Sequence, residues 1–328
     1  MELLQQIFIS PFIEMWNLPD LFVQVIWEGV VSGILYALIA LGFVLIFKAS
    51  GVFNFAQGTM MVFSALSLVG LYALLRGTLG LPIGVAAFLS VIGCIGVMFL
   101  LAVTVERVVL RPLVNQPDII LFMATIGLNS FLIGFGEVIF GGEPKTMITS
   151  ELGLPTGSTA VDMLGGRVIF QHLDIAAAVM AGLMVAGLAI FFNVSKIGRA
   201  LRAVADDHQA AQSVGITLQQ IWVIVWFAAG IVAIVAGIMW GAKSDVSFAL
   251  EILALKALPV LILGGFTSIP GAIIGGLIIG ISEKLFEFYW GSPMLGGSTE
   301  SWFPFFLALM FLLFRPQGLF GEKIIERI

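Results

Sequence analysis

The residues best suited to handling a small polar solute in this chain carry no charge. Asn54 and Gln57 stand three apart in Ser50-Gly51-Val52-Phe53-Asn54-Phe55-Ala56-Gln57-Gly58, a polar turn that interrupts an apolar region. They share a face if that segment is helical. Thr125 and Asn129 stand four apart in Ala124-Thr125-Ile126-Gly127-Leu128-Asn129-Ser130. Amides and a hydroxyl offer weak, exchangeable hydrogen bonds, and a translocation pathway needs that weakness because tight binding stops release. These four are therefore the candidate pathway residues. The same groups also suit interhelical hydrogen bonds, and Asn54 suits a helix cap if its turn lies at the inner interface. Both readings stay open.

Other chemistries are excluded. Cys94, the one cysteine, sits in an apolar run, and His172 and His208 are far apart. No disulfide framework, metal site, catalytic constellation or cofactor is expected. A net charge of -5 argues against nucleic acid. No Gly-Lys dipeptide occurs, hence no phosphate-cradling Gly-x-x-x-x-Gly-Lys-[Ser/Thr] loop. Glu28, Glu137, Glu283, Lys284 and Glu287 fall near the outer ends of apolar stretches, where snorkelling accounts for most of them. A proton- or sodium-driven carrier is disfavoured accordingly.

The elements that must position these groups are membrane helices. The 328 residues are 60% hydrophobic and 11% charged, against about 25% charged in soluble domains. Runs near the 20 or so residues needed to span a bilayer occur at 21–47, 57–75, 82–105, 119–140, 173–193, 218–240, 252–265, 269–290 and 302–314. The seventh and ninth are short. The expected fold is an all-α, polytopic transmembrane bundle of eight to nine spans, a single membrane domain over 1–328. Residues 1–20 read as an interfacial helix. Segment 141–172 is an outer loop with a small β-hairpin around Gly165-Gly166, and 194–217 is a charged inner loop. Placing the N-terminus outside and the C-terminus inside puts nine basic and six acidic residues on the inner side, as the positive-inside rule prefers. Gly29 and Gly33, Ala233 and Gly237, and Gly271 and Gly275 recur every four positions. Packing within the chain is favoured over a second subunit for these stripes.

The inner loop is amphipathic, with apolar positions alternating with Arg199, Arg202, Asp206 and Asp207, a pattern suited to a soluble partner. Gly215 suits a helix end. Gln209-Ala210-Ala211-x-x-x-Gly215 resembles the coupling-loop core of ABC importer permeases. Gly198-Arg199-Ala200-Leu201-Arg202-Ala203-Val204-Ala205-Asp206 is similar to the version in the branched-chain amino acid permease family. So are Gly33 to Gly42, Asn54-Phe55-Ala56-Gln57-Gly58, Glu106-Arg107, Arg111-Pro112-Leu113, Leu263 to Gly276, and Arg315 to Gly321. Two departures stand out: Gln209 replaces an acidic residue, and Gln57 stands where many relatives carry histidine.

The resemblance implies the permease subunit of an ABC importer in a bacterial inner membrane. Its N-terminus would be periplasmic and its C-terminus cytoplasmic. A second homologous permease, two cytoplasmic ATPase subunits and a periplasmic binding protein would be its partners, with branched-chain or related apolar amino acids as cargo. Urea, short amides and aromatic compounds are alternatives within the family; a stand-alone channel or secondary carrier is the alternative outside it. Arg199, Arg202, Asp206, Asp207, Gln209 and Gly215 would couple to the ATPase. Charge reversal at Arg199 and Arg202 is expected to abolish transport without changing the level of the complex.

Overall fold

A computed structural model of the protein describes residues 7–114, 116–206 and 217–321. A short helix α1 (Ser10–Asn17) leads into α2 (Pro19–Ser50). Next come α3 (Gln57–Ala73), α4 (Ile83–Thr104) and α5 (Asp118–Phe140). The strands β1 (Ser158–Met163) and β2 (Gly166–Gln171) precede α6 (His172–Val194), α7 (Lys196–Asp206) and α8 (Leu218–Lys243). Two short helices, α9 (Glu251–Leu255) and α10 (Ala257–Gly264), are followed by α11 (Ile269–Phe286), α12 (Ser292–Leu295) and α13 (Phe303–Phe314).

Among the described residues seven helices are long and apolar enough to cross a membrane: α2, α3, α4, α5, α6, α8, and α11 continued through α12. The two short segments of the sequence are short in the fold as well. Residues 252–265 form a broken pair, and Phe303–Phe314 has 12 residues, about 18 Å of helix. The break has a local cause. Pro259 has no N–H to offer the carbonyl of Leu255 four residues back, and the helix is interrupted at Lys256.

Two helices form the spine. The 32 residues of α2 extend about 48 Å, and its apolar window is 78% buried. It runs antiparallel to α11, its most extensive partner. Gly29 faces Ile281, and Gly33 faces Gly276 so closely that a Cβ there would stand 2.5 Å from the Gly276 carbonyl oxygen. Gly237 of α8 packs against Met61 of α3, while Gly271 and Gly275 pack against Gly264 and Val260 of α10. All five stripe glycines thus serve contacts within this chain, because only a missing Cβ lets two backbones approach so far. At the perimeter, the α6 window is only 17% buried.

The first and last described residues lie at opposite ends of the bundle. Trp290, past the end of α11, donates its indole N–H to the Ile7 carbonyl at 2.9 Å. Leu319 bonds back to Leu263 at the other end of α11's hairpin partner α10. The β-hairpin turns at Leu164-Gly165, both with positive φ (54° and 90°), the two-residue geometry that matches strand twist. It docks on the first turns of α2, where the Ile169 N–H meets Gln24 at 2.8 Å and Phe170 meets Trp27. The hairpin and α7 therefore sit at opposite ends of the bundle. Helix α1 and the two residues before it leave Phe8, Ile9, Phe12, Ile13 and Trp16 exposed, the apolar face an interfacial helix needs.

Candidate functional site

The polar turn does not lie at the end of the bundle. Gln57 sits level with Gly42, where a Cβ would overlap its side-chain amide, so residues 51–56 run back between the helices. Asn54 accepts from the Ala56 N–H at 3.1 Å, a local turn ahead of α3, and donates to Gln57 at 3.4 Å. Gln57 donates to the Ala229 carbonyl of α8 at 3.3 Å. The Thr125 hydroxyl accepts from the Phe55 N–H at 3.1 Å and lies 2.8 Å from the Phe122 carbonyl. Asn129 accepts from Thr59 and donates to Glu251 at 2.7 Å.

The structure thus gathers Asn54, Gln57, Thr125 and Asn129 into one clamp joining α3, α5, α8 and α9. All four are buried. Phe43 and Phe53 stack beside them at 4.8 Å, and the gap next to Gly58 holds about 10 Å³, no more than a single water needs. In this conformation their side chains are engaged by protein, and the gap beside Gly58 is too small for a solute.

The open space is elsewhere. A cavity of about 450 Å³ at the hairpin end is lined by Glu28, Tyr36, Asp174, Trp240, Lys243, Lys256, Lys284 and Glu300, among others. Snorkelling does not describe this region. Glu283 is 0% exposed and accepts from Lys256 at 2.7 Å and from the Tyr36 hydroxyl at 3.1 Å. Lys256 reaches it from the break between α9 and α10. Lys243 pairs with Asp174 at 2.6 Å, and Lys284 with Glu300 at 2.7 Å. Glu287 organises the rim: its carboxylate accepts the backbone N–H groups of Ser298, Thr299 and Glu300, and the Thr299 hydroxyl. That nest fixes the turn carrying Glu300. Of the other residues expected to reach the interface, Glu28 and Glu137 are exposed.

A second cavity, of about 470 Å³, lies near Lys48, Phe192, Arg202, Ser268 and Phe320. It and the first flank α2 from Tyr36 to Lys48, about 18 Å apart along the helix. Between them runs an apolar groove of about 340 Å³ along α2, α6 and α11, whose Val185 and Ile273 also line the second cavity. One wall of all three is α6 with the residue that precedes it.

At its end α6 turns sharply into α7, and the elbow is tightly bonded. The Ser195 hydroxyl accepts from the Gly198 N–H at 2.8 Å, an N-cap for α7. Gly198 lies against the Phe192 backbone, with no room for a Cβ. Arg199 donates to the Val194 carbonyl at 3.1 Å and Arg202 to the Phe192 carbonyl, satisfying the free carbonyls of the helix end. Leu201 and Val204 are buried under α7. Both arginines expected to face a partner thus hold the elbow together, so reversing their charge perturbs the fold as well as any docking. Asp206 closes α7, whereas Asp207, Gln209 and Gly215 lie outside the described residues. No group of three or more His, Cys, Asp or Glu among the described residues is arranged to hold a metal ion.

Comparison with known proteins agrees with this architecture. Residues 25–314 match the family model described as the branched-chain amino acid transport system permease component. The Pseudomonas aeruginosa high-affinity branched-chain amino acid transport system permease protein BraD is 29% identical over 315 residues, covering 94% of this chain and 98% of that one. The Escherichia coli permease protein LivH is 29% identical over 323 residues, with the same coverage. A probable LivH from Methanocaldococcus jannaschii is 30% identical, covering 93% and 94% of the two chains.

Proposed function

The chain belongs to the branched-chain amino acid transport permease family, and from that membership we propose that it is the permease subunit of an ABC importer for branched-chain or related apolar amino acids. In this reading a periplasmic binding protein delivers the solute at the hairpin end. A second homologous permease completes the pathway, and two cytoplasmic ATPase subunits drive it, one of them docking on α7. The N-terminus and hairpin are periplasmic, and the C-terminus and α7 cytoplasmic, in a multi-pass inner-membrane protein. The α9–α10 pair and α13 complete the odd number of crossings that this orientation requires, nine in all.

The observation that carries the reading is the α6–α7 elbow. A surface helix capped, wedged and bonded to the end of a membrane helix cannot tilt without moving it. That membrane helix walls both cavities and the groove between them. A push on α7 by a nucleotide-driven partner therefore reshapes the space a solute would occupy, with no further linkage. Asp206, Asp207, Gln209 and Gly215 are the further coupling candidates of the sequence, the last three lying outside the described residues. Asn54, Gln57, Thr125 and Asn129 form a closed section of the pathway, which opens only when their hydrogen bonds to neighbouring protein groups exchange for solute.

The test is reconstitution of this chain in proteoliposomes with its candidate permease partner, ATPases and binding protein. Leucine uptake that requires both ATP and the binding protein is the expected result. Uptake without the ATPases, or transport of urea, amides or aromatic compounds to the exclusion of leucine, would overturn the proposal.

A further inference from the structure

The charges around the outer cavity are paired, but their pairing does not exhaust them. An ammonium has three donors. Lys243 uses one on Asp174 and Lys284 one on Glu300, and the two side chains remain 29% and 24% exposed. Glu28 also lines the cavity. Gln24 donates to one of its oxygens at 3.1 Å, and among the described residues it forms no ion pair. Deeper in, the Tyr36 and Trp240 rings stack at 5.7 Å and 25°, with Leu253 beside them in the lining. The cavity's size falls within the range of about 300–1,000 Å³ typical of small-molecule sites.

Spare cationic donors, one uncompensated carboxylate and an aromatic-apolar interior describe a particular ligand chemistry. We propose that this cavity binds a free zwitterionic amino acid, with its carboxylate on Lys243 and Lys284, its ammonium on Glu28, and its apolar side chain against Tyr36, Trp240 and Leu253. The inference rests on the amino-acid permease reading and adds a binding site within the membrane subunit itself. The paired arrangement also limits affinity. Asp174 and Glu300 already compete for the two lysines, so a solute is held weakly enough to move on, as a pathway requires. A solute lacking either charge forgoes one of these contacts and binds more weakly. Selection would then act on the zwitterion first and on the side chain second.

The probe is Trp240 fluorescence in the intact complex in nanodiscs, without binding protein, using W240F as the blank. L-leucine is compared with isoamylamine, which lacks the carboxylate, and 4-methylpentanoate, which lacks the amine. The expected result is a saturable change with leucine, absent from W240F. Half-saturation should be at least about tenfold weaker for each analogue, and also for leucine in K243Q and in E28Q. Elution volume and co-purification of the partner subunits establish that each variant is assembled. Equal response to an analogue, or no saturable response from a complex that transports leucine with its binding protein, overturns the inference and leaves the permease reading standing. Weaker binding-protein docking in K243Q with an unchanged leucine response also overturns it, by making the cavity a protein contact. A response to urea in a complex that does not transport leucine removes both readings.

Discussion

Replacing Lys256 by methionine keeps the length of its stem and removes its charge. Glu283, with none of its surface exposed, then retains only the Tyr36 hydroxyl on Oε1, and its Oε2 already has no partner among the described residues. Removing one member of a buried pair leaves an uncompensated charge, at a cost of about 3–5 kcal/mol. The triple variant Lys256→Met, Glu283→Leu, Tyr36→Phe removes the stranded carboxylate and its hydroxyl partner together. Replacing a buried polar set by apolar groups of similar volume is often neutral, so the triple should fall within about 1 kcal/mol of the parent protein. SDS-driven unfolding followed by tryptophan fluorescence reads the difference, with Trp240 stacked on residue 36 as a local reporter. A single variant as stable as the parent, or a triple as unstable as the single, would refute the claim that an isolated carboxylate is what the lysine prevents.

Gly33→Val sets a Cβ against the Gly276 carbonyl, where neither backbone can yield, and should cost about 3 kcal/mol or more in the same assay. By contrast Gly127→Ala, with nothing within 4 Å, should be neutral or stabilise by up to about 1 kcal/mol. Glu287→Ala removes the acceptor for three backbone N–H groups. Hydrogen exchange at Ser298 to Glu300 should accelerate at least about tenfold, and unchanged exchange would contradict the nest. Arg202→Met frees the Phe192 carbonyl and loosens the elbow. ATP hydrolysed per solute imported by the reconstituted complex should rise several-fold, and an unchanged ratio would dissociate the elbow from coupling.

Glycine periodicity in the sequence marked faces of close approach: Gly29 and Gly33 meet residues 276–281 where α2 crosses α11, and Gly271 and Gly275 meet α10. The hairpin was legible in the two short apolar runs flanking Gly165-Gly166, although the turn itself falls at Leu164-Gly165. Composition pointed to helices, and the two weakest spans proved short for traceable reasons, such as Pro259. The charge cluster at the hairpin end is not visible in the sequence because its members come from α2, α6, α8, α11 and the break at Lys256, between segments far apart in sequence. A signal existed for Glu283. It follows Gly276 and Gly280 at helical spacing, on the stripe that faces α2, so its side chain had to turn inward. The polar turn stands out in the sequence, but its depth does not. Only the fold shows that residues 51–56 double back, bringing Gln57 to Ala229 of α8 and the Phe55 N–H to Thr125 of α5.

The spine also has a history. Tyr36 and Glu283 are 247 residues apart, so at roughly 5–20 residues per second the ribosome needs about 12–50 s to supply α2 with its main partner. During that interval the glycine face of α2 is without the helix that covers it in the finished fold. Bare small-residue stripes of this kind are also surfaces on which two like helices dimerise. Nascent copies on one polysome therefore present each other with a competing match, and the order in which helices emerge becomes part of what makes this fold attainable.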